Sequence, residues 1–138
     1  MTSERPFAPA VAALKAAGLR PTRQRVQLMR VLQEGGHRHL TAEQLRAEAR
    51  AAGFEVSLAT IYNTLNQFTQ SGLLREVVVE PGCSYFDTNT GVHHHFYFEA
   101  EGRLQDIPVA DVALATLPPA PEGMRVARVD VVVRVTPK

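Results

Sequence analysis

The chain has 138 residues, 45% of them apolar and 21% charged, which excludes a disordered protein and allows one domain or two small ones. No run approaches the roughly 20 apolar residues of a membrane span, Met1-Thr2-Ser3-Glu4-Arg5-Pro6 offers no secretory core, and the lone Cys83 excludes an internal disulfide or a cysteine-only zinc site. A cytoplasmic protein without membrane contact is expected. The net charge of +1 hides a skew, since residues 1–40 hold seven Lys/Arg against two acids and residues 91–138 hold five against six. An anionic partner for the amino-terminal end alone is the implication.

Apolar residues recur at helical spacing from residue 8 to about 71. A first helix is expected from Ala8 to Ala17, stopped by Gly18, and a second from Thr22 to Glu34, stopped by Gly35-Gly36. A third opens at Thr41-Ala42-Glu43-Gln44, the pattern of a capping box, and stops at Gly53. The fourth is capped by Ser57, stopped by Gly72 and buries Leu58, Ile61, Leu65 and Phe68. Then comes a hairpin, Leu73–Val79 and Ser84–Asp87 about a Pro81-Gly82 turn, and a polar hinge at residues 88–92. Beyond the hinge the pattern predicts strands at His93–Glu99 and Arg103–Ile107 about a Glu101-Gly102 turn. A short helix over Val109–Leu117 and a last strand over Met124–Val135 follow.

The fold class is therefore α+β: a winged helix-turn-helix over residues 1–88 and a small α/β domain over residues 92–138. The second should dimerise, because so small a sheet with one short helix cannot bury its own apolar face. No acid or base stands between Ser57 and Ser71. A face of Ala59, Thr60, Tyr62 and Asn63 behind the cap Ser57 suits the major groove of DNA, where amides pair with adenine and ring or methyl carbon meets thymine methyls. Lys15, Arg20, Arg23 and Arg25 are the candidates for phosphate or minor-groove contact.

His93 and His95 share one strand face, and the turn brings Asp106 opposite Tyr97 and diagonal to His95. Two imidazoles at i and i+2 make a chelating pair for a borderline divalent ion. His94 points the other way, with Phe96 and Phe98, either as a packed core residue or as a haem ligand. An enzyme is not expected, since the chain offers no spare carboxylate beside the histidines and no nucleophile pattern.

Gly18-Leu19-Arg20-Pro21-Thr22-Arg23-Gln24-Arg25, His39-Leu40-Thr41-Ala42-Glu43 and Ser57-Leu58-Ala59-Thr60-Ile61-Tyr62-Asn63-Thr64-Leu65 strongly resemble the ferric uptake regulator (Fur) superfamily. Gly72-Leu73-Leu74 and the stretch from Tyr85-Phe86-Asp87 to His93-His94-His95 continue the match, which covers about residues 10–135. The histidine triplet, the lack of Cys-X-X-Cys and the sequence from Pro121 to Arg128 look most like its iron response regulator (Irr) branch.

The resemblance implies a homodimeric transcription factor for iron and haem homeostasis that binds an A/T-rich, pseudo-palindromic operator in double-stranded DNA. It implies a metal site at His39, Asp87, His93, His95 and Asp106 for manganese, iron or zinc, and haem as a further signal, with His93, His94 and His95 as its candidate ligands. Phe98-Glu99-Ala100-Glu101 stands where many members carry a cysteine pair, so their structural four-cysteine zinc is not expected. A peroxide- or manganese-sensing regulator using the same five residues is the alternative.

Overall fold

The structure, a computed structural model, describes residues 7–138; Met1–Pro6, including Arg5 of the basic stretch, lie outside the described residues. The chain divides into two compact units, Met1–Thr90 and Gly91–Lys138.

The first unit is built from four helices and a small sheet: α1 (Ala8–Ala16), α2 (Arg23–Glu34), β1 (His39–Leu40), α3 (Ala42–Ala51), α4 (Leu58–Gln70), β2 (Arg75–Glu80) and β3 (Cys83–Asp87). The caps form as their residue types dictate. The Thr22 and Ser57 side chains accept backbone N–H bonds from Arg25 and Thr60, and Thr41 and Gln44 close a reciprocal capping box. Ile61, Leu65 and Phe68 of α4 are fully buried with Leu14, Leu28, Leu45 and Phe86 in one core. Each such side chain contributes about 1.5–3 kcal/mol of burial free energy.

The sheet order is β1-β3-β2, antiparallel throughout. Strand β1 is the element that sequence patterning misses, because two residues between a loop and a helix cap show no alternation. It is pinned by Arg38 and Thr88, the Arg38 N–H donating to Thr88 Oγ1 at 2.8 Å and the Thr88 N–H to the Arg38 carbonyl at 3.0 Å.

The second unit is a three-stranded sheet, β4 (His93–Phe98), β5 (Arg103–Pro108) and β6 (Val132–Val135), in the order β5-β4-β6. Strands β4 and β5 are antiparallel, and β6 runs parallel to β4.

Three expectations are corrected here. The turn between β4 and β5 takes four residues, Glu99–Gly102, closed by N–H bonds from Glu101 and Gly102 to the Phe98 carbonyl. Gly102 adopts φ +63°, a left-handed conformation that glycine reaches without a Cβ clash. Asp106 consequently pairs with His95, and Tyr97 with Leu104.

Helix Val109–Leu117 is replaced by a single 3-10 turn at Val109–Asp111. Nine residues bracketed by Pro108 and Pro118 are too few to be helical without packing, and Leu114 and Leu117 remain 47% and 53% exposed.

The final strand is four residues rather than twelve, and Val133 is exposed. The strand starts at Val132; the Val131 carbonyl accepts the His95 N–H at 3.1 Å, while the Val131 N–H donates to His94 Nδ1 at 3.2 Å.

Candidate functional site

Each unit carries a cluster of metal-capable donors. In the second unit, β4 alternation puts His93 and His95 on one face with ring centroids 4.6 Å apart. Register then delivers Asp106 from β5. The His93 and His95 Nε2 atoms lie 3.4 and 3.5 Å from the same oxygen, Asp106 Oδ1. Both histidines are buried while Asp106 is exposed.

In the first unit, β1 pairs with β3 so that His39 stands opposite Asp87, Nε2 to Oδ2 at 3.2 Å. Asp87 is fully buried, and its Oδ1 accepts the Asn89 N–H at 2.8 Å. One carboxylate oxygen is thereby committed to the backbone and the other is aimed at His39.

The donor chemistry fits a divalent ion. Two donors bound to one ion at about 2.1 Å lie roughly 3.0–3.4 Å apart at tetrahedral to octahedral angles, close to the spacings in each cluster. His93 Nδ1 sits 2.6 Å from the Gly91 carbonyl, so Nδ1 carries a ring proton and Nε2 is the atom turned toward Asp106. This is the outer-shell support that a ligating imidazole needs. His94 is buried with its Nδ1 accepting from Val131, and it takes no part in the cluster.

On the helical unit, Ser57, Ala59, Tyr62 and Asn63 of the α4 region are exposed and Thr60 is half-buried. Lys15, Arg20 and Arg23 are exposed as well. Arg25 is engaged internally: its Nε and Nη2 donate to Gln67 Oε1 and its Nη1 to the Arg20 carbonyl. Arginine 25 therefore ties α2 to α4 and steadies the loop carrying Arg20.

Sequence reasoning misses one further partner. The Tyr62 hydroxyl donates to Glu43 Oε1 of α3 at 3.0 Å. That bond, with partial burial and the negative charge of Glu43 as smaller causes, raises the phenol pKa above its ordinary 10.0. A spacing of 19 residues between two helices leaves no periodic trace.

The profile of the Ferric uptake regulator family matches residues 16–132. Ferric uptake regulation protein of Escherichia coli K12 is 42% identical over 83 residues, 60% of this chain and 55% of that protein. The chain thus spans about half the length of such curated relatives. The Cupriavidus metallidurans protein of the same name is 35% identical over 105 residues, 75% of this chain and 73% of that protein. The ferric uptake regulator from Pseudomonas aeruginosa, solved with manganese, superposes with a TM-score of 0.72 at 26% identity, covering 94% of this chain and 98% of that one. This chain belongs to the ferric uptake regulator family.

Proposed function

We propose that the protein is a sequence-specific DNA-binding transcriptional regulator, acting as a homodimer and responding to a divalent metal ion. The observation that carries the reading is the His93–His95–Asp106 cluster, with its buried imidazoles, its ligand-like spacings and the His93 tautomer preset by Gly91. The family resemblance supports His39 and Asp87 as the further ligands of the same ion. All five donors are nitrogen or oxygen, a set suited to manganese, ferrous iron or zinc. A bound ion would supply a positive charge to the ligands that hold it, making DNA reading respond to metal supply.

Ser57, Ala59, Thr60, Tyr62 and Asn63 read the major groove, and Lys15, Arg20, Arg23 and Arg25 hold phosphates of an A/T-rich pseudo-palindrome, Arg25 being oriented by Gln67. Two copies joined through residues 92–138 present two such surfaces to two half-sites. The histidine triplet and the missing Cys-X-X-Cys pairs support an Irr-like regulator of iron and haem genes, with haem competing for His93 and His95. A manganese- or peroxide-sensing role is the second reading, favoured by the sulfur-free donor set.

The test is metal analysis of the purified full chain, sedimentation of that chain, and selection from random duplex DNA with and without each ion. One ion per chain, a dimer and an ion-dependent enriched motif are expected. A metal-free protein that selects no sequence would overturn the reading. Haem titrated with and without bound manganese separates the Irr-like role from manganese sensing.

A further inference from the structure

Helix α4 carries no acid between Ser57 and Ser71, yet the fold sets one against it. Glu43, in the first turn of α3, holds the Tyr62 hydroxyl at 3.0 Å. Tyr62 is 40% exposed and Glu43 is exposed, so packing alone does not hold the phenol in one rotamer and this bond selects its orientation. With its proton committed to Glu43, the hydroxyl no longer donates to a base, and the side chain offers a partner chiefly its ring carbon, a surface matched to thymine methyls. The same carboxylate repels the phosphates of any duplex, whatever its sequence.

We propose that Glu43 is a specificity-determining positioning residue: it orients the Tyr62 ring for apolar base contact, and its charge penalises every sequence that does not provide that contact. The inference rests on the DNA-reading role proposed above. The raised Tyr62 pKa agrees with a bond that keeps the phenol protonated. Glu43 lies outside the Thr41–Gln44 capping box, so its replacement leaves the α3 cap intact.

The experiment compares full-length wild type, Glu43→Ala, Glu43→Gln and Tyr62→Phe, each with manganese, in selection from a randomised duplex library. Glu43→Ala and Tyr62→Phe should lose preference at the same base positions, by about tenfold. Glu43→Gln keeps an acceptor for the hydroxyl, so it should keep the motif while binding unselected DNA about fivefold more tightly. Ultraviolet titration of the free protein, taken as wild type minus Tyr62→Phe, should show the Tyr62 transition falling toward 10.0 in Glu43→Ala. A Glu43→Ala motif identical to wild type, or altered at positions other than those of Tyr62→Phe, overturns the proposal. Failure of wild type to select any motif overturns the DNA-reading role and this inference with it, and the phenol titration then still reports the contact.

Discussion

His39 Nε2 and Asp87 Oδ2 face each other at 3.2 Å across a strand only two residues long. Their pairing is supported one residue away, where the Arg38 N–H bonds the Thr88 hydroxyl and the Thr88 N–H bonds the Arg38 carbonyl, joining the loop after α2 to the end of β3. The sheet that forms the wing therefore also carries two of the five proposed metal ligands. A shift of β1 moves the ligand and the start of α3 together, since Thr41, the α3 cap, follows Leu40 directly.

Metal binding is expected to stabilise the wild-type protein by about 2.7 kcal/mol at an ion concentration of 100 times Kd. His39→Ala, His93→Ala and His95→Ala should each lose most of that increment and remain folded. Thermal unfolding with and without manganese chloride checks this. Full stabilisation in His39→Ala would remove the helical unit from the site.

Arg23→Ala should weaken binding to all duplexes alike and flatten the salt dependence by about one phosphate contact. Asn63→Ala should instead cost about 1–3 kcal/mol on the preferred sequence and little on random DNA. Fluorescence anisotropy across a salt series separates the two. A changed base preference in Arg23→Ala with an unchanged slope would reverse the assigned roles.

Gly35 is required by space. A Cβ there would sit 2.1 Å from Arg38 Nε and 2.3 Å from Cζ. Arg38 donates from Nη1 to Glu48 and from Nη2 to the Val31 carbonyl, so Gly35→Ala must displace a guanidinium that links α2 to α3. A loss of about 1–3 kcal/mol is expected in urea denaturation. Arg38→Ala should suppress most of the added cost of Gly35→Ala, because the clash then has no partner.

The phenol of Tyr62 makes a pH prediction of definite sign. Its folded pKa lies above the ordinary 10.0, chiefly through the bond to Glu43. The folded state thus favours the protonated form. The resulting stability is fully present below pH 10 and is lost as pH climbs through the folded pKa. Wild type should lose more stability than Tyr62→Phe between pH 9 and pH 11, and Glu43→Gln should narrow the gap. Equal alkaline losses in wild type and Tyr62→Phe would contradict the assignment.

The helical unit was legible because its signals are local. Caps at Thr22, Thr41 and Ser57 and the stripe Ile61, Leu65, Phe68 act within one or two turns of backbone. The pairing of His93 with His95 was readable for the same reason, since strand alternation needs only neighbours. What resisted reading depends on distant partners. Strand β1 exists because β3 accepts it, and the Glu43–Tyr62 bond joins two helices. Asp106 was misplaced by two residues because a four-residue turn and a two-residue turn share the same Glu101-Gly102 signal. Val109–Leu117 carried the periodicity of a helix, but its leucines find no buried seat among the described residues.

The Val131 bond gives the middle histidine of the triplet a chemistry opposite to that of its neighbour. His94 Nδ1 receives a proton donor from the backbone, which assigns its own hydrogen to Nε2. His93 donates from Nδ1 to Gly91 and turns Nε2 toward Asp106. Two adjacent imidazoles thus use Nδ1 in opposite roles, a donor in His93 and an acceptor in His94. An iron porphyrin or bare cation recruiting His94 through Nε2 must first move that hydrogen. Capture through Nδ1 would instead cost the Val131 N–H its acceptor, leaving the Val131 carbonyl bonded to the His95 N–H. Main-chain groups thus set the rings of His93 and His94 apart, and a ligand choosing between them meets a different proton arrangement at each.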